Sequence, residues 1–312
     1  VLSMLEMYVA GVSTRKVTAI TEALCGLEVS KSQVSALTAR LDAEIDAWRR
    51  RPLTKPCPYL IVDARYEKVR RGGQIVSLGV LIVVGIDADG YREVLGVWIF
   101  DSESEASWGA VFRELKERGL RGVGYVVSDD HAGMVRAIGR HFQGAVWQRC
   151  QTGVPTDRSS SVGWKVHFLR NALALCSHQQ RPLVARLMKT ITEAATRKAA
   201  TAALGAAIAE MEAKAPKVAR LLVEHGEEIL GVYVLPEAHQ KRMRTTNMLE
   251  RQNEELKRRT RVVRVFPNEQ SLLRLVAALL METNQEWMER KYLNFDVDAA
   301  PLAGEEATAR PA

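Results

Sequence analysis

Three acids in this sequence stand where a carboxylate has work to explain. Asp63 lies inside the apolar run Tyr59-Leu60-Ile61-Val62-Asp63-Ala64, and an ionised carboxylate in a buried strand is costly unless it is paired or binds a cation. Asp129 ends the run Tyr125-Val126-Val127-Ser128, and strand ends are where sites gather in open α/β sheets. Glu250 opens a basic helical segment. Three carboxylates with oxygen-only chemistry suit Mg2+ or Mn2+, which take few protein ligands and leave room for phosphate and water. Each acid also has a structural alternative. Asp63 could pair with Arg65, Lys68 or Arg70. Asp129, or equally Asp130, could cap a helix beginning at His131. Glu250, three residues after Asn247, could be the carboxylate of a capping box. Glu254 and Glu255 each precede an arginine by four residues, Arg258 and Arg259, and read as solvated helix pairs.

Charge is concentrated beside the third acid. The net charge is +7, and Lys241–Arg264 alone carries nine Lys/Arg against three acids; next to a carboxylate site such a block reads as a phosphate-binding rim. Cys25, Cys57, Cys150 and Cys176 lie far apart with no Cys-x-x-Cys pair, which supports neither a disulfide framework nor a zinc ribbon and fits a reducing cytoplasm. No apolar run approaches the roughly 20 residues that span a bilayer, so no membrane partner is expected. The opening Val1-Leu2-Ser3-Met4 with Glu6 lacks the basic flank and cleavage site of a secretory signal, and without an initiator methionine it reads as a fragment.

The elements that must position these acids follow from periodicity. Helical spacing over about Thr14–Leu24 and Lys31–Trp48, broken at Gly26, reads as helix-turn-helix or a plain helical hairpin, with a Ser30/Gln33 capping box and Lys31, Ser32 and Gln33 in the first turn, able to reach phosphates and base edges. This gives a DNA-binding segment over 1–51 and a Pro-marked linker over 52–57. Strands are expected at Pro58–Ala64, Gln74–Asp87, Tyr91–Phe100, Gly124–Ser128 and Ala145–Trp147, with helices from a Ser102/Glu105 cap to about Arg118 and over His131–His141. A three-strand meander followed by alternating helices and strands is an RNase H-like order, so the fold class is α/β, a mixed sheet over 58–150. Residues 151–240 read as a helical insertion, 241–293 as the returning core with helices over Asn247–Arg259 and from Glu269 to about Glu289, and 294–312 as a disordered tail.

Spelled-out segments carry a resemblance that composition does not. They are Asp63-Ala64-Arg65-Tyr66 with Lys68 and Arg70, Val127-Ser128-Asp129-Asp130-His131-Ala132-Gly133, Trp147-Gln148-Arg149-Cys150, Val166-His167-Phe168-Leu169-Arg170-Asn171, and Thr245-Thr246-Asn247-Met248-Leu249-Glu250-Arg251-Gln252-Asn253, running on through Lys257-Arg258-Arg259-Thr260-Arg261 to Phe266-Pro267-Asn268. On these the chain resembles bacterial Mutator-family transposases, from the helix-turn-helix to about residue 290. The resemblance implies that Asp63, Asp129 and Glu250 form a metal-binding triad, holding two Mg2+ or Mn2+ ions about 3.5–4 Å apart. It implies hydrolysis of a phosphodiester and then attack of the freed 3′-hydroxyl on target DNA.

It further implies double-stranded DNA partners, namely terminal inverted repeats and target, a homo-oligomer on DNA, and a nucleoid-associated cytoplasmic location. Lys68, Arg70, Lys257, Arg258, Arg259 and Arg261 would contact DNA alongside Lys31, Ser32 and Gln33, while Cys150, His167 and His131 would be structural or auxiliary. The family's Cys-x-x-His step is interrupted here, because fourteen residues, Thr152–Lys165, separate Cys150-Gln151 from Val166-His167. The Cys/His pair reads as a buried thiol and a hydrogen-bonded core histidine before a zinc site. The insertion leaves two alternatives, an inactive relic and a DNA-binding regulator without nuclease activity.

Overall fold

A computed structural model describes residues 41–151 and 168–295. Lys31, Ser32 and Gln33, the segment 152–165 with His167, and the tail from 296 lie outside the described residues. The first described element is α1 (Leu41–Arg49), the end of the second helix expected from spacing.

β1 (Tyr59–Arg71) is buried without interruption as far as Arg65 and then acquires exposed positions. A continuous apolar run marks a strand covered on both faces, and that run is where the sequence reading ended the strand. The backbone continues to Arg71 because β2 (Gln74–Ile86) pairs with it residue by residue, from Tyr59↔Ile86 to Arg71↔Gln74. The two-residue turn between them is Gly72-Gly73, with φ of 56° and 80°; hairpin turns of this kind need positive φ at both centres, which glycine takes without a Cβ clash.

β3 (Arg92–Phe100) pairs antiparallel with β2, while β4 (Tyr125–Ser128) runs parallel to β1 and β5 (Val146–Arg149) parallel to β4. The order is β3-β2-β1-β4-β5. Parallel neighbours require crossovers, supplied by α2 (Glu105–Glu117) before β4 and α3 (Ala132–His141) between β4 and β5. α2 starts two residues later than its expected cap: Ser104 is extended and its side chain accepts from the Ser107 amide at 3.1 Å, closing a capping box with Ser107. Ser102 and Glu105 do not cap it.

After β5 come α4 (Phe168–Ala174), α5 (Arg181–Thr192), α6 (Arg197–Lys214) and α7 (Pro216–His225), then two 3-10 turns, Gly226–Ile229 and Gly231–Val234. These pack a core of their own around Phe168, Met188, Ile191, Leu204, Met211 and Leu222. The chain returns through α8 (Glu237–Met243), α9 (Asn247–Val263) and α10 (Glu269–Met288). Strand alternation divides the sheet's apolar side chains. Leu60, Val62 and Ala64 join α2 and α3 through Trp108, Phe112, Met134 and Ile138. Tyr59, Ile61 and Val69 join α9 and α10 on the other face through Leu249, Leu256, Leu272 and Leu275.

The chain on either side of 152–167 meets itself: Phe168 N–H donates to the Cys150 carbonyl and Leu169 N–H to the Gln151 carbonyl, both at 3.3 Å. Loop-closure entropy grows only logarithmically. Deleting Thr152–Lys165 is therefore expected to raise stability by at most about 2 kcal/mol and not to lower it, since the ends already lie together. Thermal melting of the two chains checks this, and a lower melting temperature for the shortened chain contradicts it.

Candidate catalytic site

Parallel pairing between β1 and β4 is registered as Tyr59↔Tyr125, Leu60↔Val126 and Ile61↔Val127. Asp63 and Asp129 each stand two residues past the last of these pairs, so both point to the sheet face of Ile61 and Val127, the face that α9 and α10 cover. Both are buried. Asp63 Oδ1 accepts from the Ala64 amide at 2.8 Å, and Oδ2 accepts a short hydrogen bond from the Asn253 side-chain amide. Asp129 does not cap α3: the N-cap is His131, which makes no side-chain capping bond. Nor does Asp130, whose carboxylate goes to Arg149.

α9 is set against this face from both ends. The hydroxyls of Tyr125 and Tyr59 hold α8, the first donating to the Met243 carbonyl at 2.9 Å and the second bonding His239 Nδ1 at 3.0 Å. Burial pushes the Tyr125 phenol well above its ordinary value and the Tyr59 phenol up to about 12, so both hydroxyls stay neutral. Cys150, buried just past β5, accepts from the Thr246 amide at 3.3 Å and its hydroxyl at 3.4 Å. Thr246, not Asn247, is the N-cap of α9, with no side-chain capping bond. Glu250 thus falls outside the capping-box position; its Oε1 lies 3.4 Å from the Thr246 hydroxyl, sharing that group's one proton with Cys150.

One turn further, Asn253 reaches Asp63, and seven residues beyond that Thr260 donates to Glu67 at 2.9 Å. Arg65 closes the seam, donating to the Asn253 carbonyl at 2.9 Å and forming a short ion pair with Glu67. Burial pulls the Arg65 guanidinium down from its ordinary value, and Glu67 and Asp63 oppose that pull. Arg65, Glu67, Asn253 and Thr260 were not singled out as site residues in the sequence; the two-turn spacing of Asn253 and Thr260 was the available signal.

Arg149, 2% exposed, lies at the end of β5 and pairs with Asp130 and with Glu228 of the first 3-10 turn, each at 2.7 Å. Its guanidinium also sits 5.0 Å from the centre of the Phe168 ring. One side chain therefore ties the residue after Asp129 to the helices that follow β5. A second contact fixes the same turn: a Cβ on Gly133 would come within 2.6 Å of the Glu105 amide nitrogen and 2.8 Å of the Ser104 carbonyl carbon, so only glycine lets α3 start this close to α2.

The remaining expected site residues divide. Lys68 and Arg70 are exposed, but strand alternation turns them to the face opposite Asp63, beside Tyr66, whose hydroxyl accepts from the Glu103 amide at 3.1 Å. The seam side of that stretch is taken by Phe266, which bridges β1 at Val69. Lys257, Arg258 and Arg261 are exposed on α9. Lys257, seven residues after Glu250, shares its stripe of the helix. Glu255 pairs with both Arg258 and Arg259, at 2.7 and 2.9 Å, and the Arg258 hydrogen bond leads in holding its carboxyl below the usual range. The expected Glu254–Arg258 pair does not form, Glu255 taking that arginine instead. His131 Nδ1 faces Glu103 at 3.6 Å.

The donor set on the α9 face is carboxylate oxygen, the chemistry that hard divalent cations prefer. Among the described residues no three His, Cys, Asp or Glu side chains are gathered closely enough to hold a metal ion; the Asn253 amide occupies an oxygen of Asp63.

Known proteins match the chain over most of its length. A family model described as transposase, Mutator family, matches residues 1–290. The chain is similar to the transposase for insertion sequence element ISRM5 of Rhizobium meliloti (strain 1021), 46% identical over 297 residues, which cover 95% of this chain and 71% of the relative. It is similar to the transposase for insertion sequence element IS406 of Burkholderia multivorans, 46% identical over 299 residues, with 95% and 73% covered. A third similar protein is the transposase for insertion sequence element IS256 in transposon Tn4001 of Staphylococcus aureus, 40% identical over 299 residues, with 94% and 73% covered.

Breaking the Arg149 hub leaves two acids facing a low-dielectric gap. Arg149→Ala is expected to lower stability by about 3 kcal/mol, the low end for a buried pair because Asp130 and Glu228 keep some contact with water. Urea titration measures it; a loss under about 1 kcal/mol would place the pair among ordinary surface bridges.

Proposed function

The chain belongs to the Mutator family of transposases, and from that premise we propose that it cuts and rejoins DNA at the ends of an insertion sequence, with Asp63, Asp129 and Glu250 as its catalytic carboxylates. The observation that carries the reading is the register of β1 and β4, which sets two buried aspartates abreast on the face that α9 covers. Neither Asp129 nor Glu250 stands at the capping position that the sequence offered it, the N-caps of α3 and α9 being His131 and Thr246. The strand order and the helices returning over the sheet support an RNase H-like core. The separate packing of α4–α7 supports a helical insertion between the second and third acids.

Each group has a task that follows from its surroundings. Asp63, Asp129 and Glu250, not gathered closely enough to hold an ion as they stand, would have to close on a divalent metal, Mg2+ or Mn2+, which when bound supplies Lewis-acid stabilisation of charge on phosphate oxygens. Asn253 orients the Asp63 carboxylate through its amide. The Arg65–Glu67–Thr260 contacts keep α9 from rotating about its axis, which would swing Glu250 off the sheet. Arg149 holds the turn after β4, and hence Asp129, through its neighbour Asp130. Lys257, Arg258 and Arg261 place positive charge on the exposed side of α9, where phosphate contacts position a duplex without reading its sequence. Among the described residues no helix is long and apolar enough to cross a membrane. A protein that cuts and rejoins DNA works where the DNA is, so the proposed location is with the DNA in the cytoplasm, the protein acting as a homo-oligomer.

Asp63→Asn, Asp129→Asn and Glu250→Gln each remove charge and keep shape, so each is expected to abolish Mg2+-dependent cleavage of transposon-end DNA while duplex binding persists. Glu255→Gln should cut normally, since Glu255 is engaged with arginines. The opposite pattern for Glu250 and Glu255 would show that the third ligand is misassigned. Asn253→Ala is expected to slow cleavage by about 10–100-fold, the size typical of a group that supports a metal ligand. An unchanged rate would remove Asn253 from the site.

A further inference from the structure

Around the end of α10, Arg92 at the start of β3 and Arg242 on α8 flank the Tyr292 ring, and Arg251 on α9 and Arg290 just past α10 lie within electrostatic reach of them. The Arg92 guanidinium carbon lies 4.7 Å from the centre of the Trp287 ring and 4.5 Å from that of Tyr292, while Arg242 lies 5.0 Å from the same Tyr292 ring. The Tyr292 hydroxyl donates to the Arg242 carbonyl at 3.4 Å. Burial pulls the Arg92 guanidinium down, and Arg242 and Arg290 push the same way. Burial pushes the Tyr292 phenol up, and Arg92, Arg242 and Arg251 each pull against it.

What the cluster lacks is a counter-charge. Among the described residues none of the four arginines forms an ion pair with a carboxylate, although Glu286 and Glu289 lie in the same stretch of chain. Arg92 Nε is buried with no hydrogen-bond partner. Arg242, Arg251 and Arg290 are exposed. Like charges held together and left unneutralised favour the arrival of a polyanion, which releases its own counterions when it docks. Guanidinium planes already oriented by aromatic rings match the forked geometry of phosphate oxygens.

We propose that Arg92, Arg242, Arg251 and Arg290 form a docking site for the phosphate backbone of duplex DNA, delivering the duplex beside Glu250. The inference rests on the DNA-end reading above and adds to it where one strand is held. Arg251 directly follows Glu250, and Arg258 lies two turns further along the same face of α9, about 10 Å away. The cluster thus extends the basic rim of α9 to its N-terminal end. A purely structural account covers only part of it: the amides of Tyr292 and Leu293 donate to the Gly90 carbonyl at 2.8 and 3.0 Å, so Arg92 and Tyr292 help fasten the chain after α10 to the sheet. That fastening involves the Arg242 guanidinium only through its contact with the Tyr292 ring and does not draw on those of Arg251 and Arg290.

The test is the salt dependence of binding to a short duplex of arbitrary sequence, with the full chain and divalent metal chelated. The variant R242Q/R251Q/R290Q is expected to lower the log–log slope by about two to three, close to one per lost phosphate contact, with the melting temperature unchanged. A comparison variant, R113Q/K116Q/R121Q, removes three basic side chains near the C-terminal end of α2 and should leave the slope unaltered. The proposal is overturned if the first variant keeps the full slope, if both variants lower it equally, or if the loss tracks a fall in melting temperature. Displacement of the duplex by polyglutamate as readily as by competitor DNA would also overturn it, assigning the cluster to an acidic protein partner. Because binding is read without metal, failure of the cleavage reading would show separately, as intact binding with no cutting.

Discussion

Parallel pairing of β1 with β4 brings two carboxylates abreast in a place with little water, and much of the molecule answers to that placement. Were both ionised at about a strand spacing, roughly 5 Å, they would repel by roughly 3 kcal/mol at an effective dielectric near 20. A domain whose whole stability is of order 5–15 kcal/mol does not carry such a term idly. The Ala64 amide and the Asn253 side chain donate to Asp63 and reduce the cost. Under the proposed function, a divalent cation held by these acids would reduce it further.

α9 is placed to serve that site by contacts distributed along its length. Its start is anchored by Cys150 and by the tyrosines of β1 and β4 that hold α8. Its middle is anchored at Asp63, and its later turns at Glu67 through Thr260. Each bond is modest alone. Together they fix rotation about the helix axis, which decides whether Glu250 faces the sheet or the solvent. Arg149 performs the corresponding service across the sheet edge, coupling the turn that carries Asp129 to the helical segment after β5. That coupling links the helical segment to the turn beside Asp129, although their apolar cores are separate.

Positive charge follows the same geometry. The block Lys241–Arg264 is a single stretch of sequence, but its members divide in space: Arg242 and Arg251 converge with Arg92 and Arg290 around Tyr292, and Arg258 and Arg259 are engaged by Glu255. Lys68 and Arg70, near Asp63 in sequence, face away from it. Proximity along a strand is a poor guide to proximity in charge, because the pleat reverses direction at every residue.

The sequence by itself determined the five strands and the helices that cross between them, and it nominated the three acids of the proposed site. All of these rest on local signals: unbroken apolar runs, breaks at glycine and proline, and buried carboxylates that apolar neighbours cannot satisfy. The end of β1 was not legible, because the charged stretch Glu67–Arg71 is held as a strand by its partner β2 rather than by its own pattern. The caps of α2 and α9 were misplaced for a related reason: several Ser, Thr and Asn residues could cap, and tertiary packing of each helix axis selects among them. Asn253, Thr260, Arg65 and Glu67 became a seam, and Arg149 a hub, only once segments far apart in the chain were brought within hydrogen-bond reach. Such pairings depend on how distant segments meet, which no local pattern encodes.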